Sequence, residues 1–337
     1  MSGLHSASPS IPHRSPYVSF LTSKCAAAFH SAGLTACGGG SDGSSSTEIA
    51  SGTATGTPTP TAAFGLTDQR VSAAGGTAGG IVRLVGFNIA TPNTLTSDVP
   101  ITAATGAANA FTAGEWIYGM DFRPVDGVLW GLTNKGRLYT IDPATGVATF
   151  KVALAADPAD TSAPFTGLDA STSISADFNP VAKRLRVVTF IGQNLSINVD
   201  NGLVTTDTDV APVGTTGFSF VAGVAYSNSF AGTQTTTTLY TINNSRDNLS
   251  TQAPPASGTQ TAVGALGVAI DEVQGFDIGG STNELALGAL RTTNAGPHSL
   301  YNINLTTGAA VLRPATSGTA EIGGPAGLPL VDIAIRR

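Results

Sequence analysis

The sequence predicts an all-β fold, a propeller of five four-stranded blades. Four observations lead there. From residue 62 onward, strand-length runs recur with a period near 50 residues, the mark of a propeller or a similar array. The composition suits strands and tight turns: 41 glycines and 11% charged residues, against about 25% charged in typical soluble proteins. No long window carries apolar residues at i, i+3, i+4 and i+7, so amphipathic helices are not expected. Finally, the run GLPLVDIAIRR at 327–337 reads like the first strand of each unit, not the last.

Taken in order, residues 62–104 hold AAFGLTDQ, IVRLVGFN and NTLTSDVPI, a unit short of one strand. The unit at 117–154 is complete: IYGMDFRP, GVLWGLTN, GRLYTIDPATG and VATFKVAL. Within GRLYTIDPATGVAT, Asp142 can accept from the backbone two residues on, Pro143 presets φ, and Gly146 takes the left-handed φ that ends the turn. NVDNG at 198–202 and NLTTG at 304–308 repeat that chemistry, so the phrase is scaffold. The unit at 174–211 runs ISADFNP, KRLRVVTF, GQNLSINVDNG, LVTTDTDV. The unit at 221–266 is looser (VAGVAYSN, TTTLYTIN, DNLSTQAP, TQTAVGAL), and that at 273–313 reads VQGFDIGG, ELALGALR, HSLYNINLTTG, AAVLRP. The run 327–337 then completes the first unit, which removes an open sheet edge. A six-bladed ring is the alternative, if 80–116 holds further strands.

The domain organisation expected is a leader at 1–37, a Gly/Ser/Thr/Pro tether at 38–61, and a single propeller at 62–337. Both cysteines, Cys25 and Cys37, fall in the leader, so the remainder has no disulfide framework and no cysteine-based zinc site. Leu34-Thr35-Ala36-Cys37 resembles the lipobox of bacterial lipoproteins. That resemblance implies lipidation of Cys37, with the flexible stretch after it as a tether. Lys24 and His30 interrupt the apolar run before it, and the other reading is a polar N-terminus with an incidental cysteine. No run of 18 apolar residues follows residue 40, so membrane contact is expected only through a lipid anchor. Net charge is −6 with four lysines; a basic nucleic-acid surface is not expected.

IYGMDFRPVDGVLWGLTNKGRLYTIDPATGVAT, ADFNPVAKRLRVVTFIGQNLSINVDNG and GALGV together resemble the domain of unknown function 4394 family, over most of 62–337. The resemblance implies a bacterial protein of a kind often exported. It implies no activity and no catalytic residues. The third unit departs from the pattern, with Ala225-Tyr226 where the others have Asp followed by an aromatic or aliphatic residue.

Aligning the first strands puts Asp121, Asp177, Asp277 and Asp332 at one position, with Ala225 in the fifth unit. The first strand of a blade lies innermost, so these carboxylates are expected around the central channel. The favoured role is structural, each Asp accepting backbone N–H bonds that lock the blades. The rivals are a cation site, with Ca²⁺ the possible ion, and an acid–base pair. Arg123, Arg184 and Arg186 lie beside two of the positions, as local ion pairs or as contacts to an anionic ligand. Trp116, Tyr118 and Trp130 read as blade packing before sugar stacking. His298, after Gly-Pro, reads as a surface turn residue. No G-x-S-x-G occurs, and GGTAGG at 75–80 lacks the lysine of a phosphate loop.

The expectation is an exported, lipid-anchored, monomeric binding module at the bacterial cell envelope, not an enzyme, with a protein or glycan ligand. A glycan- or lactone-directed hydrolase using the channel carboxylates is the alternative, and a structural surface protein is the third.

Overall fold

Five small sheets stand side by side around an axis in the computed structural model. It describes residues 60–68, 81–161, 163–171, 173–212, 220–271, 275–292 and 296–337, all within one unit of the chain, Ala54–Arg337. Cys37, the leader, all but the end of the tether, and GGTAGG lie outside the described residues.

Blade 1 begins with β1 (Ala62–Thr67), β2 (Arg83–Asn88) and β3 (Thr91–Pro100). Blade 2 holds a two-residue strap, β4 (Thr102–Ala103), then β5 (Ile117–Phe122), β6 (Leu129–Thr133), β7 (Arg137–Ile141) and β8 (Val147–Ala153). Blade 3 repeats this with β9 (Ala155–Ala156), β10 (Ile174–Phe178), β11 (Leu185–Thr189), β12 (Asn194–Ile197) and β13 (Leu203–Asp207). Blade 4 holds β14 (Ala211–Pro212), β15 (Val221–Tyr226), β16 (Leu239–Asn243), β17 (Asn248–Gln252) and β18 (Thr259–Ala265). Blade 5 holds β19 (Gly275–Gly279), β20 (Leu285–Leu290), β21 (Ser299–Ile303) and β22 (Ala310–Leu312). The last strand, β23 (Leu330–Ile335), returns to blade 1 and pairs antiparallel with β1, Phe64 opposite Ala334. Residues 104–116 add no strand, so the ring has five blades and not six.

Short straps tie neighbours together at the rim. The straps β4, β9 and β14 each run parallel to the outermost strand of their blade, β8, β13 and β18. The expected turn chemistry supports them. Asp142 Oδ1 accepts the Ala144 N–H at 2.9 Å, and Gly146 has φ 72°. A Cβ on Gly146 would sit 2.4 Å from the Pro100 carbonyl at the start of the strap, so glycine is needed there twice over.

The innermost strands are β23, β5, β10, β15 and β19, each packed against the next, with β19 closing on β23. Because a strand has period 2, alternate side chains of an innermost strand face the following blade and the preceding one. Phe122, Phe178 and Tyr226 follow the Asp position (Ala225 in blade 4) and are buried between blades. Phe122 packs against Phe64 of blade 1, ring centroids 5.7 Å apart. The apolar core thus lies between the blades, and the residues facing the next blade at the axis carry the polar chemistry.

Candidate functional site

An innermost strand has no partner on its axial edge, so alternate N–H groups there need acceptors from elsewhere. Carboxylates of the preceding blade supply them. Asp121 Oδ2 accepts the Phe178 N–H at 2.8 Å. Asp177 Oδ1 accepts the Tyr226 N–H at 3.0 Å. Asp277 Oδ2 accepts the Ile335 N–H at 2.6 Å. Each side chain reaches the N–H one residue past the equivalent position on the next strand.

That rule corrects the expected alignment of Asp332. The equivalent of Asp277 in blade 1 is the residue before Ile335, which is Ala334. Asp332 stands two residues earlier and accepts from Met120 N–H at 3.0 Å and Ile333 N–H at 3.0 Å. Ser175 is its counterpart in blade 3, accepting the Val224 N–H at 2.9 Å. At the same level blade 5 has Gly275, where a Cβ would meet the Ile333 nitrogen at 2.6 Å. The axis therefore has two levels: Asp121, Asp177, Ala225, Asp277 and Ala334 on one, Gly119, Ser175, Gly223, Gly275 and Asp332 on the other. A shift of two residues keeps a side chain on the same face of a strand, so pattern alone does not separate the levels.

The upper level lacks a carboxylate in blade 1, and Arg337 fills the gap. Its Nη1 donates to Asp121 Oδ1 at 2.9 Å and to the Phe122 carbonyl at 2.6 Å. Its Nη2 donates to Asp277 Oδ1 at 2.9 Å and, at 3.4 Å, to the Ile278 carbonyl. With no carboxylate at Ala334, the Phe122 N–H turns to Asp121's own Oδ1 at 2.6 Å. Sequence reasoning missed Arg337; its signal was a basic residue three positions beyond Ala334.

Asp121, Asp177 and Asp277 can bring carboxylate oxygens within 4.8 Å of one another, and all three are buried. Burial pushes Asp121 up to about 7, Arg337 opposing and Asp277 reinforcing the rise. Burial, with the charges of Asp121 and Asp277, raises Asp177 well above the carboxylate range. Burial also raises Asp332, against the bond from Met120. Burial alone would lower Arg337, but Asp121, Asp277 and Asp177 raise it. Three oxygen ligands suit a hard cation, but the guanidinium already bridges two of them.

The other arginines are held within and between blades. Arg123 pairs with Asp126 and, at 2.7 Å, with Asp200, and lies 5.2 Å from the Trp130 ring. Arg184 donates to Ser196 and Thr205. Arg186 donates to Asp207 at 2.5 Å, to Asn194, and to the Tyr226 hydroxyl. Tyr118 and Trp130 are buried, and Trp116 is half-buried against the same core. His298 is not on the surface: it is 0% exposed, and its Nδ1 accepts the Leu330 N–H at 3.0 Å. The Gly-Pro before it signalled a turn, but that turn is covered by the chain leading into β23. Away from the axis, a cavity of about 310 Å³ is lined by Lys135, Leu154, Phe165, Thr166 and Leu168 among others, with no carboxylate.

Residues 83–324 match the family model described as domain of unknown function, DUF4394. The chain belongs to the DUF4394 family. The family match runs from β2 through blade 5, leaving out β1 before it and β23 with Arg337 after it. No curated protein matches the chain. Among solved structures, this DUF4394 protein is similar to a chain of a nidogen/laminin complex at 11% identity and TM-score 0.41, covering 82% of this chain and 98% of that one. It is similar as well to a protein of unknown function from Bacteroides thetaiotaomicron at 10% identity and TM-score 0.38, covering 82% and 86%. Likeness at this level carries no argument about what the protein does.

Proposed function

We propose that this DUF4394 protein is a non-catalytic binding module, exported and tethered at the bacterial cell envelope through Cys37, with a protein or glycan ligand. One observation carries the non-catalytic part: the axial carboxylates are buried and engaged by backbone N–H groups and Arg337. A glycosidase needs two carboxylates flanking an open site, about 5–10 Å apart. Here the oxygens lie within 4.8 Å of one another and are covered. Ligand recognition then falls to loops and cavities off the axis, such as the one beside Lys135.

The test is to assay purified protein against chromogenic glycosides and lactones and against immobilised envelope glycans. The reading expects saturable retention without turnover. Turnover that disappears in Asp177→Asn overturns it in favour of the hydrolase. For the tether, Cys37→Ser should move the protein from the membrane fraction to the soluble one; a wild type that is already soluble contradicts that part.

A further inference from the structure

We infer that the axis of the ring holds a proton: Asp121 and Asp177 share one in the closed propeller, and its loss as pH rises loosens the ring. The starting point is charge. Asp121, Asp177 and Asp277 are clustered and buried, and Asp332 is a fourth buried carboxylate one level away. Among the described residues, one guanidinium bonds to them. Arg337 bonds to Asp121 and Asp277, while Asp177 is held by the Tyr226 N–H.

The groups facing the cluster come from all five innermost strands. β5 brings Asp121, β10 brings Asp177, β19 brings Asp277, and β23 brings Asp332 with Arg337 just after it. β15 brings Ala225 and the Tyr226 phenol, whose hydroxyl is bonded by Arg186. Arg186 is paired with Asp207, and Arg123 with Asp126 and Asp200, so neither supplies the missing positive charge. Carboxylates this close in a low dielectric do not all ionise. A proton or a bound cation makes up the difference. Arg337 lies between two of the three carboxylates, where a metal would have to lie, and that favours the proton. On Asp177 the protonated atom is Oδ2, since Oδ1 takes the Tyr226 N–H. The upward shifts of Asp121, to about 7, and of Asp177 agree with this.

The consequence has a definite sign. The folded ring keeps a proton that the unfolded chain releases above the ordinary carboxylate value of 3.8. Stability from this group is therefore full below that value, declines as pH rises, and levels off once the folded group has ionised. Glu115, Asp126 and Asp142 are shifted the other way: burial opposes the shift at Glu115 and Asp126, and hydrogen bonds from their neighbours outweigh it. Their contribution is lost as pH falls into the acid range, so the two trends oppose each other and stability falls off on either side of mildly acid pH.

Thermal melts between about pH 5 and about pH 8.5 test this, on wild type, Asp121→Asn, Asp177→Asn and the surface control Asp142→Asn, each with Ca²⁺ and with chelator. Asparagine cannot ionise; at Asp177 it keeps the acceptor for the Tyr226 N–H, while at Asp121 it keeps one of the two acceptor oxygens, so Asp177→Asn is the cleaner variant. Wild type and control should lose several degrees of Tm across that range, and the two axial variants should lose markedly less. A flat wild-type profile, an unchanged slope in both axial variants, or a wild type stabilised by Ca²⁺ and destabilised by chelator overturns the inference. If the axial variants do not fold, infrared spectroscopy of wild type decides. A protonated-carboxyl band at the acid end that fades at the alkaline end supports the proton; its absence overturns it.

Discussion

Asp277 of blade 5 accepts the backbone N–H of Ile335 at 2.6 Å, tying the last blade to the strand that completes the first. The same residue's other oxygen holds Arg337 at 2.9 Å. Asp277→Ala should therefore be among the costliest single changes at the axis. It leaves a buried N–H without its acceptor and removes one partner of a buried ion pair, about 3–5 kcal/mol. Chemical denaturation measures it.

Asp332→Ala should cost less, about 1–3 kcal/mol, because it strands N–H groups without uncovering a paired charge. Asp332→Asn, which keeps one of the two acceptor oxygens, should recover part of the loss. Equal loss in both variants would mean that the charge, not the acceptor, matters at this level.

Arg337→Ala leaves Asp121 and Asp277 buried without their counter-charge, about 3–5 kcal/mol. The pH dependence supplies a sign check. Arg337 opposes the rise of Asp121, so its removal favours the protonated carboxyl further. The variant should be nearer wild type at about pH 5 than at about pH 8. Melts at the two pH values decide; an equal loss at both contradicts the assignment.

His298→Ala should cost about 1–3 kcal/mol by stranding the Leu330 N–H at the entry to β23. An effect near zero in denaturant melts would return His298 to a peripheral role.

Deleting 327–337 removes the innermost strand of blade 1, which leaves one edge of β1 unpaired and strips β5 and β19 of the strand packed between them. Cooperative unfolding should be lost. A deletion variant that melts like wild type contradicts ring closure by this strand.

The blades could be read from the sequence because each repeats strand, turn and glycine at fixed offsets, as Asp142 and Gly146 do. The closure could be read because VDIAIRR resembles an innermost strand. The levels of the axis could not. Moving Asp332 by two residues preserves its face, and only the hydrogen bond to Met120 fixes its height. Arg337 was missed for a different reason: its place just past the last strand is visible, but nothing in a sequence says how far a side chain folds back across an axis. His298 misled because Gly-Pro marks a turn and not whether another segment covers it.

The central claim is that the axial carboxylates and Arg337 lock the ring together. A double-mutant cycle between Asp277 and Arg337, read by denaturant unfolding of wild type, Asp277→Ala, Arg337→Ala and the double variant, tests it most directly. Residues in direct contact couple by about 0.5–3 kcal/mol, and the account predicts a value within that range, the double variant being less damaged than the sum of the singles. Additivity to within about 0.3–0.5 kcal/mol would contradict it, leaving the pair without an energetic link.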